Sequence, residues 1–248
     1  MRIDAYPTSA GYVTGREKAK ELIAAGGVAL NGKTVRKPSE TVTEQDSVTV
    51  DDSLAPKYVG RGGLKLEAAL HAFSLDVTGL TCVDIGASTG GFTDCLLMNG
   101  ARRVFAVDCG SGQLAPKLLA DARVVPMENF NARTLDRSHL GEACDLAVMD
   151  VSFISQTLLY GAVTRVLKPQ GLLVSLIKPQ FEVGRAKLGK HGIVRDEAAR
   201  LEAMAAVTEA ARRSGLVRYG LIGSPIPGGD GNAEYLALFQ YQPDKTEE

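Results

Sequence analysis

The sequence predicts an α/β chain: an open, mostly parallel seven-stranded sheet flanked by helices, preceded by a small α+β module. Three observations predict it. From residue 81 onward, short apolar runs alternate with helical stretches, the rhythm of a parallel sheet built with right-handed crossovers. The first run, Thr81-Cys-Val-Asp-Ile, passes through Gly86-Ala-Ser-Thr-Gly90-Gly91 into Phe92, which reads as a strand, a tight turn and a helix start. The last two runs, residues 219–224 and 234–241, are separated by a Pro/Gly-rich loop too short for a crossover helix, so they pair antiparallel.

Composition narrows the function classes. The 248 residues carry 28 Lys and Arg against 29 Asp and Glu, so no global basic character points to nucleic acid and any basic face must be local. Cys82, Cys95, Cys109 and Cys144 have no Cys-x-x-Cys spacing and read as reduced residues, which points to the cytoplasm and away from a disulfide framework. His71, His139 and His191 have no ligand spacing, so no metal is expected. No apolar run is long enough to span a membrane, and the first residues lack an apolar signal core.

Residues 1–52 read as the separate module. Thr14 is placed to cap a helix over residues 15–25 that Gly26-Gly27 ends. Asn31-Gly32 then marks a hairpin over residues 28–35, because this pair readily takes the positive φ angles of a type I′ turn. A further strand follows at residues 48–50. Charge is segregated: Arg16, Lys18 and Lys20 lie on the helix and Lys33, Arg36 and Lys37 on or just after the hairpin, with the acids Glu40, Glu44, Asp46, Asp51 and Asp52 later. A solvated basic helix beside an ordinary hairpin would also account for these charges.

Residues 53–63 suit a linker ending in a flexible Gly-Arg-Gly-Gly segment, and residues 64–244 form the larger domain. Its first helix, starting near Leu64, buries Leu66, Ala69, Leu70 and Phe73 and leaves Lys65 on another face. Strands at 81–85, 103–108, 123–128, 145–150 and 171–178 alternate with helices at 92–99, 112–119 and 155–167. A long helix at 196–214 precedes the terminal pair of strands. The first five strands end in Asp84, Asp108, Glu128, Asp150 and Lys178, at the edge where a parallel sheet binds ligands. Residues 179–194 form a long basic, glycine-bearing loop at the mouth of that site, and such loops in compact domains are functional or disordered.

The turn after the first strand narrows the cofactor. Asp108 follows Asp84 by about twenty residues, the position from which a carboxylate takes a ribose. A dinucleotide fingerprint wants Gly-x-Gly-x-x-Gly, but Ser88 stands at its second glycine. An acid at Asp84 also repels a pyrophosphate, whereas it complements the cationic S-adenosylmethionine. The turn favours the methyl donor over NAD; an NAD-linked oxidoreductase and an ordinary strand-to-helix turn are the alternatives. Cofactor contacts are expected from Asp84, Gly86, Ser88, Thr89, Gly90, Gly91, Phe92, Asp108, Glu128, Asn129 and Asp150.

The first module resembles the S4 RNA-binding domain at Arg16, Ala19, Ile23, Gly27, Val28, Leu30, Asn31 and Gly32. Lys65, Asp150, Lys178 and Glu234 resemble the Lys-Asp-Lys-Glu set of FtsJ-like ribose 2′-O-methyltransferases. A ribose hydroxyl is a weak nucleophile at neutral pH, so such chemistry needs a base, here Lys178 beside a second cation, with Asp150 and Glu234 orienting it. The whole chain is similar to the haemolysin-A-like (TlyA) family at Val59-Gly-Arg-Gly-Gly-Leu-Lys65, Asp84-Ile-Gly-Ala-Ser-Thr-Gly-Gly-Phe-Thr-Asp94, Asp150-Val-Ser-Phe-Ile154, Lys178-Pro-Gln-Phe-Glu182, Gly192-Ile-Val-Arg-Asp196 and Gly228-Gly-Asp-Gly-Asn-x-Glu234. The resemblance implies S-adenosylmethionine-dependent 2′-O-methylation of cytidine in ribosomal RNA. Ribosomal RNA or subunits are the implied partner, and the protein is expected as a monomer or weak homodimer. Arg2, Arg16, Lys18, Lys20, Lys33, Arg36, Lys37, Arg61, Arg185 and Lys187 are the expected RNA contacts. The alternatives are an RNA-binding ribosome-assembly factor with a methyltransferase fold and a haemolysin-like membrane-active protein. No amphipathic basic helix supports the latter.

Overall fold

The computed structural model describes residues 1–10, 12–13, 15–43, 45–184, 187–228 and 231–243. Thr14 and Arg185 lie outside these described residues. The chain forms two compact units, one over Met1–Val59 and one from Gly60 onward.

In the first unit a 3₁₀ turn, Ile3–Ala5, leads into α1 (Tyr6–Ser9), whose Pro7 sits in the opening turn where a missing N–H breaks no helical bond. Helix α2 (Arg16–Ala24) follows, then strands β1 (Val28–Leu30), β2 (Lys33–Thr34) and β3 (Val48–Val50), antiparallel in the order β2-β1-β3. Asn31 and Gly32 have φ of 50° and 76°, so the predicted hairpin turn forms. Ile3, Leu22, Ile23, Val28, Val35 and Val42 make its core.

The second unit opens with α3 (Gly62–Ala72), two residues earlier than the sequence indicates. Then come β4 (Thr81–Ile85), α4 (Gly91–Met98), β5 (Arg103–Val107), α5 (Pro116–Leu119) and β6 (Val124–Met127). The chain continues through α6 (Arg137–Leu140), β7 (Cys144–Met149), α7 (Tyr160–Val166), β8 (Leu167–Ile177), α8 (Glu197–Arg213), β9 (Leu216–Gly223) and β10 (Tyr235–Tyr241). The sheet order is β6-β5-β4-β7-β8-β10-β9. The first five of these strands are parallel, while β10 runs antiparallel between β8 and β9, as predicted.

Local chemistry explains the placements. All of β4 is buried, as befits a central parallel strand. Pro126 is tolerated in β6 because that strand forms the sheet edge. Asp196 caps α8 by accepting from the Ala198 amide. Two predicted helices come out shorter. In place of a helix from Gly112, the amides of Gly112, Gln113 and Leu114 donate to the Glu128 carboxylate, and helical bonding begins only at Pro116. The predicted helix from Ser155 comes out as a 3₁₀ turn, Gln156–Leu158, followed by α7, and the Gln156 amide at its start donates to Glu182. A shared core joins β4, β5, β7, β8 and β10 to α7 and α8, with Tyr160 and Phe239 among its fully buried side chains.

Candidate active site

Three cavities of 380, 200 and 430 Å³ lie at the carboxyl ends of the parallel strands. Ser152 lines all three. The first is walled by Ile85, Gly86, Ser88, Asp108, Phe130 and Asp150 among others. The second lies between residues 60–62 and the glycine-rich turn and reaches Asp150 and Lys178. The third, beyond Lys178, includes Gln180, Phe181, His191, Asn232 and Glu234.

Backbone approach explains the glycines. Gly86 has φ of 86°, and a Cβ there would sit 2.4 Å from the Asp150 carbonyl oxygen, so the turn after β4 passes directly over the end of β7. At Gly91 a Cβ would meet the Gly63 amide nitrogen at 3.0 Å and the Gly60 carbonyl oxygen at 3.1 Å. This close packing of the starts of α3 and α4 positions Lys65.

Four charged side chains form two ion pairs. Lys178 Nζ lies 2.6 Å from Asp150 Oδ1 and donates to Ser152 Oγ at 2.8 Å. Lys65 Nζ donates to Glu234 Oε2 at 2.5 Å. Tyr235 of β10 is opposite Ile177 of β8, and the same register carried one residue further sets Glu234 opposite Lys178. The structure corrects the expected face of Lys65: it is only 8% exposed and shares the buried side of α3 with Leu66, Ala69 and Leu70. A buried ammonium requires a compensating anion, and Glu234, 169 residues away in sequence, supplies it.

The expected cofactor residues divide. Gly86, Ser88, Asp108 and Asp150 line the first cavity, and Gly86, Ser88, Thr89, Gly91, Phe92 and Asp150 the second. Asp108 accepts from the Ser88 amide at 2.8 Å and the Gly110 amide at 2.7 Å, which orients its carboxylate at the wall. Asp84 is fully buried behind that wall rather than in it. Its Oδ2 accepts from the Thr93 amide at 2.9 Å and the Thr93 hydroxyl at 2.7 Å, closing the start of α4, while its Oδ1 has no hydrogen-bond partner. Burial, with Asp150 and Asp108 adding to it, pushes the Asp84 carboxyl up to about 7 against the pull of the Thr93 bonds. Gly90 stands outside both linings, its φ of 94° serving the approach to Leu118. Glu128 and Asn129 also stand outside. Glu128 instead holds residues 112–114, whose amides keep its carboxyl below the usual range, and the Asn129 amide donates to the Gly110 carbonyl. Sequence reasoning missed Gln113, Phe130, Asn131 and Ser152, which lack a strand-end signal. It also missed Phe153, which is 92% exposed at φ 64° and packs on Phe181 at 5.3 Å between centroids.

The residues present fit a methyl donor better than a dinucleotide. The Ser88 amide, which a pyrophosphate would need, is bonded to Asp108, and the Thr93 amide at the start of α4 is bonded to Asp84. The Asp150 carboxylate lines the cavity beside the glycine-rich turn, whereas the orphaned Asp84 Oδ1 lies behind the wall.

The expected RNA contacts also divide. Lys33, Arg36, Lys37 and Arg61 are exposed. Arg2 and Arg16 are exposed but share the buried Asp4 carboxylate, which their charges and hydrogen bonds hold below its usual range. Lys18 is not free for a phosphate: its side chain is 13% exposed and its Nζ donates to the Tyr58 carbonyl at 2.6 Å. Lys20 is half-buried with a partner, and Lys187 is paired with Glu202. No described helix is long and apolar enough to cross a membrane.

Comparison with known proteins agrees with this geometry. An FtsJ-like methyltransferase family model matches residues 58–241, and an S4 domain model matches residues 1–48. The chain is 41% identical over 245 residues to the 16S/23S rRNA (cytidine-2′-O)-methyltransferase TlyA of Mycobacterium tuberculosis, covering 99% of this chain and 91% of that one. It is 42% identical to Hemolysin A of Brachyspira hyodysenteriae, covering 96% and 99% respectively. A solved hemolysin-type protein of Streptococcus thermophilus superposes with a TM-score of 0.77 at 41% identity, covering 98% and 88%. The chain therefore belongs to the FtsJ-like methyltransferases, in the TlyA and haemolysin A family that joins this domain to an N-terminal S4 domain.

Proposed function

We propose that the protein transfers a methyl group from S-adenosylmethionine to the 2′-hydroxyl of a cytidine in ribosomal RNA. The observation that carries this reading is the pair of Lys-carboxylate contacts at the strand ends, with Asp150 lining the first two cavities, Lys178 the second and third, and Glu234 the third. The bound cofactor would supply an electrophilic methyl on a sulfonium. Asp108 would hold its ribose, and the backbone of residues 86–91 would admit the rest of the molecule closely. Lys178, as the neutral amine, would take the proton of the ribose hydroxyl and become the ammonium, with Asp150 and Ser152 fixing its nitrogen. Lys65 and Glu234, held to each other, would set the field around the developing alkoxide. Residues 1–52 would form the RNA-binding domain, with 53–63 as linker and 64–244 as the catalytic domain; the protein would act in the cytoplasm as a monomer or weak homodimer. The names of the relatives at 41% identity support the substrate.

The test is methyl transfer from labelled S-adenosylmethionine to purified ribosomal subunits, followed by mapping of ribose methylation. Label confined to a cytidine 2′-oxygen is expected. Label on a base, or none on either subunit from protein that binds S-adenosylhomocysteine, would refute the reading.

A further inference from the structure

We infer that Ser88 and Gln113 complete the cofactor's ribose clamp: Asp108 accepts from the ribose hydroxyls, and Gln113, held by the Ser88 side chain, donates to the oxygen of one of them. This inference rests on the proposed use of S-adenosylmethionine. A ribose hydroxyl is both donor and acceptor, whereas a carboxylate only accepts. Asp108 alone therefore leaves the hydroxyl oxygens without a donor once the cofactor has displaced water from the cavity. The carboxylate is already oriented, Oδ2 by the Ser88 amide at 2.8 Å and Oδ1 by the Gly110 amide at 2.7 Å, and each oxygen keeps a further lone pair for a hydroxyl.

Gln113 supplies the missing donor. It is exposed and lines the 380 Å³ cavity together with Ser88 and Asp108. Its backbone amide is fixed by Glu128 at 3.0 Å, and its side-chain Oε1 accepts from the Ser88 hydroxyl at 3.1 Å. Nε2 is left without an acceptor among the described residues. A Cβ at Gly110 would run into Nε2 and stand 3.2 Å from Asp108 Oδ1, so donor and acceptor converge over that glycine. The same convergence orients the amide. Turned over, it would set Oε1 beside the Asp108 carboxylate, acceptor against acceptor.

Ser88 stands where a dinucleotide fingerprint has glycine, at a φ of 48° that glycine adopts without strain. What serine adds is the hydroxyl. Its amide sets Asp108, as a glycine amide would, and its hydroxyl sets Gln113, so one residue aligns both halves of the clamp before the ligand arrives.

The test is calorimetric titration of the full-length protein with S-adenosylhomocysteine and with its 2′-deoxy and 3′-deoxy ribose analogues. Wild type is expected to bind both analogues more weakly than the parent. Gln113→Ala should weaken S-adenosylhomocysteine about 3- to 10-fold, and this penalty should vanish for the analogue lacking the hydroxyl to which Nε2 donates. Ser88→Gly, which keeps the amide and relieves the positive φ, should show the same pattern and add little to Gln113→Ala in the double variant. Equal penalties for all three ligands would make these side chains mere supports of the loop, overturning the inference and leaving the proposed methylation standing. Should Gln113→Ala bind none of the three, Ser88→Gly decides by the same comparison. A wild-type protein that binds parent and analogues equally takes the ribose away from Asp108 and overturns the inference. One that binds none of them overturns the cofactor reading together with it.

Discussion

Lys178 has a carboxylate at 2.6 Å and a hydroxyl at 2.8 Å, which fixes its nitrogen in one place. Lysine holds that position as a compact ammonium able to lose a proton, whereas arginine is a planar fork that keeps its charge. Lys178→Arg should therefore retain S-adenosylhomocysteine affinity while lowering single-turnover methyl transfer by on the order of 100-fold. Substantial transfer by that variant would reduce Lys178 to a positioning role. Asp84 gives a second residue-scale prediction. Its carboxyl is raised to about 7 in the folded protein, so between its unfolded value and pH 7 the native state binds more protons than the unfolded state. Stability from this group is present in acid and is lost as pH rises through 7. Asp84→Asn keeps an acceptor for Thr93 without the buried charge. Between pH 5 and 8 its unfolding free energy should improve relative to wild type by on the order of 2 kcal/mol, measured by denaturant titration at each pH. Parallel pH profiles for the two proteins would remove Asp84 as the source. That a carboxylate stood at residue 84 was legible in the sequence. That it faces Thr93 rather than the cavity was not, because strand alternation does not give the depth of a side chain behind a turn.

The loops after β7 and β8 act as one element because Glu182 joins them, accepting from Ser155 Oγ at 2.6 Å and from the Gln156 amide at 3.0 Å. Gln156 in turn accepts from Tyr160 and Ser175, so the tie reaches the buried core. Glu182→Ala should lower stability by about 1–3 kcal/mol, the cost of leaving these donors unpaired. It should also lower turnover with little change in cofactor affinity, because Ser152 and Lys178 sit on the loosened loops while Asp108 does not. A denaturation midpoint and turnover equal to wild type would show the tie to be dispensable. The regular elements of this region were readable from apolar periodicity. The shortening of the helices near Gly112 and Ser155 was not: at each place the amides meet a distant carboxylate, Glu128 or Glu182, which no pattern along the chain announces.

At the scale of the whole molecule, a chain with a formal charge of −1 depends on local cations for RNA. In the first unit Lys33, Arg36 and Lys37 are exposed, whereas Lys18 is held by Tyr58. Replacing Lys33, Arg36 and Lys37 together with alanine should weaken binding to ribosomal subunits and flatten the slope of log K against log salt by about 2 to 3. Lys18→Ala should leave the slope nearly unchanged. The opposite ranking, read from filter binding across a salt series, would move the RNA contact to the helix. The antiparallel end of the sheet and the glycine turn were legible in the sequence, since each rests on local periodicity, spacing or motif, and the four charged residues were expected from the Lys-Asp-Lys-Glu resemblance; the order of the strands in the sheet came only with the structure. Tertiary structure alone decided which charges meet. Lys65 is buried because Glu234, brought in by the antiparallel β10, neutralises it, and Lys18 and Arg16 turn to groups within their own unit. The physical reason is that a side chain's exposure and partners depend on contacts between residues far apart in the chain, and a pattern read along the chain carries no term for them.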